Sequence, residues 1–222
     1  MPLFVLEKEL SFPPVHLAEP DGLLAIGGDL SQERLLLAYK MGIFPWYEGE
    51  HILWWSPDPR FVLFPKELKV SKSMKQLLKK KEFTFTVNKS FNEVINNCKA
   101  TPRKGQAGTW ITDEVKKAYS ILHKNGFAHS AEVWLNEKLV GGLYGIRMGK
   151  VFFGESMFSF ESNASKYAFI SYILQLQEEG IELIDCQVYT THLASLGARM
   201  IDRREFIKRL QDLIVNDPEI SV

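Results

Sequence analysis

"AHSAEVWLNEKLVGGLYGIRMGKVFFGESMF" (residues 128–158) is the stretch on which the reading of the fold turns. It divides into runs rich in aliphatic and aromatic residues, 128–135, 139–147 and 151–158, joined at Asn136-Glu137-Lys138 and Met148-Gly149-Lys150. Short polar or glycine-bearing joints between such runs are hairpin connections. The stretch therefore predicts an antiparallel meander of consecutive strands.

Working outward, Ala164 to Glu178 carries apolar residues at helical spacing and stops at Gly180, "ELIDCQV" (182–188) follows as a strand, and a short helix near 191–196 precedes strand-like residues at 199–201. A last helix covers about 203–214. Upstream, Asp29-Leu-Ser-Gln32 reads as a cap for a helix from Glu33 to Met41 that ends at Gly42. Arg60 to Phe64 and "FTFTV" (83–87) are strands, and Lys72 to Lys80 is a helix with Lys72, Lys75 and Lys79 along one side. Ser90 and Thr112 cap two further helices, the second ending near Gly126. The predicted class is α+β: a small N-terminal module (1–60), then an acetyltransferase-like, GNAT-type domain (61–222) with a mainly antiparallel sheet flanked by helices.

Between helix and strand, residues 42–61, "GIFPWYEGEHILWWSPDPRF", hold three of the chain's five tryptophans, three other aromatics and three prolines. Proline keeps such a segment out of long helices and central strands, so it reads as irregular chain. Its rings suit either a core or a surface on which bases stack. Trp54 and Trp55 are expected in a core at the joint between the modules.

Composition is that of a globular chain, 45% hydrophobic and 24% charged over 222 residues. It contains no apolar run of about 18 residues and no basic start leading into an apolar stretch, so a cytoplasmic protein without a membrane span is expected. Cys98 and Cys186 lie far apart and form no C-x-x-C, which points to buried thiols rather than a disulfide framework or zinc site. Across the chain, 27 basic residues balance 27 acidic ones, yet Lys66 to Lys124 holds fourteen Lys and Arg against five Asp and Glu. A local basic region on a neutral chain suits partial contact with phosphates, such as one end of an RNA, or simply solvated helix faces.

Chemistry gathers in two strands. Period-two alternation puts Asp185 and Gln187 on the same side of one strand, just before a loop with His192. Glu155 stands among Phe152, Phe153, Met157 and Phe158, where an ionised carboxylate needs a cation from the protein or a ligand. A structural Asp, a loop-bonding His and an internally paired Glu are the plainer readings of these residues. No phosphate-cradling loop, no zinc spacing and no coenzyme A pyrophosphate segment is found, so neither metal nor cofactor is expected.

Taken in order, "EPDGLLAIGGDLS", "GIFPWY", "ILWWSPDPR", "GTWIT", "AHSAEVW", "LVGGLYG", "FFGESMFS", "NASK" and "LIDCQV" with "HLASLGA" resemble the leucyl/phenylalanyl-tRNA protein transferases of bacteria, from about Glu19 to Arg204. The resemblance implies transfer of Leu or Phe, less readily Met, from aminoacyl-tRNA to the α-amine of a protein beginning with Arg or Lys, which marks it for degradation. It implies, too, that Leu143, Phe152, Met157, Tyr172 and Ile184 line the cavity for the donor side chain. Strict alternation sets Ile184 and Asp185 on opposite faces, so a bulge or splayed pairing is needed for both to face it.

An aminoacyl ester is already activated, and freeing an α-amine at neutral pH costs only about 1 kcal/mol. Asp185, with an ordinary pKa near 3.9, is too acidic to serve as a simple base. The expected roles are that Gln187 holds the attacking amine while Asp185 orients Gln187 and stabilises charge developing on nitrogen. Glu155 is expected to take the basic side chain of the acceptor. Tyr39, Trp46, Trp110 and Tyr119 are expected around the terminal adenosine. Lys72, Lys75, Lys79, Lys80, Lys116 and Lys117 are expected on acceptor-stem phosphates, with the protein acting as a monomer. A coenzyme A-dependent N-acetyltransferase of the same architecture, or a non-catalytic module for basic N-termini or RNA ends, is the alternative.

Overall fold

The computed structural model describes residues 3–101 and 110–214. Two sheets organise it. Four short strands, β1 (Phe4–Leu6), β2 (Leu23–Gly27), β3 (Phe44–Pro45) and β4 (Leu53–Trp55), form the first in the order β1-β2-β4-β3, with helix α1 (Gln32–Lys40) between β2 and β3. The second has seven strands in the order β11-β5-β10-β9-β8-β7-β6: β5 (Arg60–Leu63), β6 (Thr84–Val87), β7 (Ala128–Leu135), β8 (Lys138–Met148), β9 (Val151–Ser159), β10 (Leu183–Gln187) and β11 (Arg199–Ile201). The expected meander is β7-β8-β9, and every pair in this sheet is antiparallel except β9 with β10. The fold is α+β with a mainly antiparallel sheet flanked by helices.

The helices α2 (Lys72–Lys80), α3 (Phe91–Ala100), α4 (Asp113–Lys124), α5 (Ala164–Glu178), α6 (Thr191–Ser195) and α7 (Arg203–Ile214) cover both faces of the large sheet. Alternation along the strands sorts the core. Val62, Tyr144, Ile146, Val151 and Phe153 pack with α1, α3, α4 and α7, whereas Phe61, Leu63, Leu143, Phe152 and Ile184 pack with α5, α6 and Met74 of α2. Leu24, Ala25 and Trp54 from the small sheet belong to the first of these layers. Side-chain caps fix several helix starts, with Ser31, Ser71, Thr112 and Thr190 each accepting from a backbone N–H in the first turn. Ser90 precedes α3 without such a bond.

The proline-rich segment is more regular than expected. β3 and β4 pair antiparallel, Phe44 with Trp55 and Pro45 with Trp54. Pro45 is admissible there because β3 is an edge strand and its missing N–H leaves no ladder bond unmade. Trp54 is fully buried and donates from Nε1 to the Gly27 carbonyl at 2.9 Å, as a core tryptophan must to satisfy its one donor. Trp55 is only partly buried and donates to the Trp46 carbonyl. No helix among the described residues is long and apolar enough to cross a membrane.

Candidate active site

β10 accompanies β9 only through Leu183–Val151, Ile184–Phe152 and Asp185–Phe153, while β9 runs on to Ser159 beside β8. Where the two strands separate, a cavity of about 690 Å³ opens. Both strands bulge at this point. On β9 the register passes from Gly145↔Gly154 to Tyr144↔Ser156, leaving Glu155 as the extra residue, and on β10 it passes from Asp185↔Val62 to Gln187↔Phe61, leaving Cys186 extra. An extra residue bends its strand and re-aims the side chains around it. Gln187 consequently adopts φ +64°, a left-handed conformation that costs a non-glycine residue on the order of 1 kcal/mol.

These bulges bring Glu155 and Gln187 together. Tyr39 donates its hydroxyl to Glu155 Oε1 at 2.8 Å, Gln187 Nε2 donates to the same oxygen at 2.9 Å, and Tyr119 donates to Oε2 at 3.1 Å. A carboxylate only accepts, so the Gln187 amide must turn its NH2 toward it, which leaves Oε1 of Gln187 free of that contact. Among the described residues no cation forms an ion pair with Glu155. Burial raises its carboxyl to about 7, the hydrogen bonds from Tyr39 and Tyr119 restrain that rise, and the charge of Asp185 adds to it. Both phenols are themselves pushed well above the ordinary tyrosine range, first by burial and then by Glu155, and so remain donors.

Asp185 has a different setting. Arg60 grips it in bidentate fashion, Nε to Oδ1 at 2.8 Å and Nη2 to Oδ2 at 2.6 Å, with both side chains fully buried. The guanidinium lies 4.7 Å from the ring centroids of both Phe44 and Phe206. Oδ1 also accepts from the backbone N–H of Gln187 at 2.9 Å, which pins the bulge.

The family model described as "Leucyl/phenylalanyl-tRNA protein transferase" matches residues 62–211, and the model of that transferase's N-terminal domain matches residues 28–58. A leucyl/phenylalanyl-tRNA protein transferase of Flavobacterium johnsoniae is 60% identical over 210 residues, covering 94% of this chain and 99% of that protein. One from Syntrophus aciditrophicus is 59% identical over 207 residues, covering 93% and 87%. The chain belongs to the leucyl/phenylalanyl-tRNA protein transferase family. Among solved structures, FemX is similar with a TM-score of 0.49 and 12% identity, over 77% of this chain and 66% of that one.

Of the residues expected at the family's site, Leu143, Phe152, Met157 and Ile184 line the cavity together with Trp46, Trp110, Glu155, Asp185 and Gln187. Tyr172 does not reach it. Its ring stands perpendicular to that of Phe152, centroids 5.1 Å apart, and supports the cavity wall from behind. Tyr39 and Tyr119 are also corrected: both are 0% exposed and so offer no ring face to a base, and their hydroxyls bond to each other and to Glu155. Asp185, expected to stabilise charge developing on nitrogen, is instead paired with Arg60, and it meets Gln187 through the backbone N–H of that residue.

The expected basic residues do not share one layer. Lys72, Lys75, Lys79 and Lys80 are exposed on α2, whose Met74 belongs to the core layer of α5, whereas the partly exposed Lys116 and the exposed Lys117 sit on α4, which belongs to the other core layer. Arg103 and Lys104 of the basic stretch, and Gly108 and Thr109 of the GTWIT motif, lie outside the described residues. His192 lines the cavity, its imidazole pKa lowered by burial and by Lys166, and its Nε2 has no hydrogen-bond partner among the described residues. Sequence reading missed Arg60 and Phe169. An arginine opening the apolar strand "RFVLF" was a usable signal, because such a residue needs a buried anion.

Proposed function

We propose that this protein is an aminoacyltransferase that moves Leu or Phe, less readily Met, from aminoacyl-tRNA to the α-amine of a protein beginning with Arg or Lys. The observation that carries this reading is that one cavity is lined both by a set of apolar side chains and by the hydrogen-bonded pair Glu155 and Gln187, which we read as its two ends. Leu143, Phe152, Met157, Ile184 and Phe169 give an apolar end for the donor side chain, while Glu155 and Gln187 give a polar end where an amine and a cation are wanted.

Attack of the free amine on the ester carbonyl forms the amide bond and releases the terminal adenosine hydroxyl, with one proton passing from nitrogen toward the leaving oxygen. Gln187 Oε1 accepts from the amine and fixes its direction of approach; the Arg60–Asp185 pair holds Gln187 in its left-handed conformation. Glu155 already takes bonds from Tyr39, Gln187 and Tyr119, and a carboxylate has about four acceptor positions, so one remains for an incoming cation. The guanidinium or ammonium of the acceptor's first residue would fill it. Trp46, partly exposed in the cavity lining, remains for the terminal adenosine, whereas Trp110, also in the lining, is buried against Tyr119.

Incubation with labelled leucyl-tRNA and an Arg-initiated protein, followed by mass analysis of the N-terminus, tests the reading. One added leucine on the α-amine is expected; an unmodified N-terminus with leucyl-tRNA intact would refute it.

A further inference from the structure

Glycines in this sheet differ in what the fold asks of them. Gly145 on β8 is required by packing, because a Cβ there would lie 2.2 Å from the Phe153 carbonyl and 2.5 Å from the Phe152 ring. Gly141 is similar, at 2.6 Å from Ala164 Cβ. Gly154, opposite Gly145 on β9, is not. A Cβ at Gly154 would touch only the Asp185 carbonyl, at an ordinary 3.5 Å, and its φ is not in the left-handed region. A glycine inside a strand gives up side-chain packing and costs backbone entropy, so this one lacks a reason within the folded chain.

Its place supplies one. Gly154 lines the cavity at the point where β9 and β10 separate. Phe152 of the apolar end lies two residues before it and Glu155 of the polar end directly follows it. Gly154 thus marks the boundary between the place read as the donor's and the place read as the acceptor's.

We propose that Gly154 is a donor-positioning residue whose missing side chain leaves room for the main-chain portion of the donor, its α-carbon and ester carbonyl, to lie against β9 within reach of the attacking amine. This rests on the aminoacyl-transfer reading above. A methyl group at this position would stand where the reacting ester must sit. Because a misplacement of about 1 Å can cost on the order of 100-fold in rate, the loss should be large without any change in the fold.

The test compares wild type, Gly154→Ala and Gly145→Ala by thermal melting, by leucyl transfer to an Arg-initiated peptide, and by binding of a non-reactive leucyl-adenosine amide. Gly154→Ala should melt at or above the wild-type temperature, lose on the order of 100-fold in kcat/KM for transfer and bind the amide more weakly, while Gly145→Ala should melt lower. A Gly154→Ala protein that melts as low as Gly145→Ala would overturn the inference, because glycine would then serve the fold. Wild-type transfer and amide binding by Gly154→Ala would overturn it equally. A wild-type protein that transfers nothing would instead bring down the functional reading on which this one stands.

Discussion

A carboxylate that accepts from two phenols and a carboxamide and pairs with no cation among the described residues is costly to keep ionised, and Glu155 is in that position. Its folded pKa, about 7, lies above the ordinary 4.5, so the contribution of its neutral form to stability is complete below about pH 4.5 and lost as pH rises through 7. Glu155→Gln removes the titration. The variant's melting temperature should therefore gain on wild type between pH 5 and pH 8; a difference that stays constant across that range would contradict the placement of the charge. The same exchange should weaken transfer to Arg and Lys acceptors by about 2 kcal/mol, near thirtyfold in kcat/KM, because the acceptor's cation no longer meets a partly buried anion. An equal effect on all acceptors would remove Glu155 from side-chain recognition. Much at this scale was legible in the sequence: an acidic residue among Phe and Met announces a need for partners. The partners themselves were not, since Tyr39, Tyr119 and Gln187 come from 116, 36 and 32 residues away.

Two helices reach Glu155 from different parts of the chain, α1 through Tyr39 and α4 through Tyr119. Each hydroxyl lowers the carboxyl's pKa against the larger effect of burial, so removing one should raise it further. If ionised Glu155 receives the acceptor's cation, transfer by Tyr39→Phe should require higher pH than wild type, with its rise in kcat/KM displaced to the alkaline side. A pH profile that superimposes on wild type would show that Tyr39 only fills space. Elements with local signals were readable: the Asp29–Gln32 segment and Thr112 lie at helix starts, where Ser31 and Thr112 accept the capping bonds, and the meander follows its turn residues, although Ser90 makes no cap bond. Strands β1, β3 and β4 of the N-terminal sheet were not, because two or three residues carry no period of their own and exist through their partners. Nor were the bulges at Glu155 and Cys186, which arise when one strand's register meets another's.

At the scale of the molecule, the large sheet separates basic residues that lie close together along the chain. α2 carries Lys72, Lys75, Lys79 and Lys80 with no acidic residue within its bounds, whereas Lys116 and Lys117 of α4 follow Asp113 and Glu114. The α2 face is therefore the better phosphate site. Replacing Lys72, Lys75 and Lys79 by Ala should weaken aminoacyl-tRNA binding and flatten its salt dependence by about 0.7 to 0.9 in log–log slope for each phosphate left unneutralised. Replacing Lys116 and Lys117 should change that slope little, and the opposite ranking would move the RNA to the other face. The central claim is that the cavity at the separation of β9 and β10 holds the donor's side chain while Gln187 directs the attacking amine at its carbonyl. The most direct measurement is a crystal structure with a leucyl-adenosine amide. The account predicts the leucine side chain against Phe152 and Ile184, with the carbonyl above Gly154; an amide bound elsewhere, or with its leucine facing solvent, would contradict it.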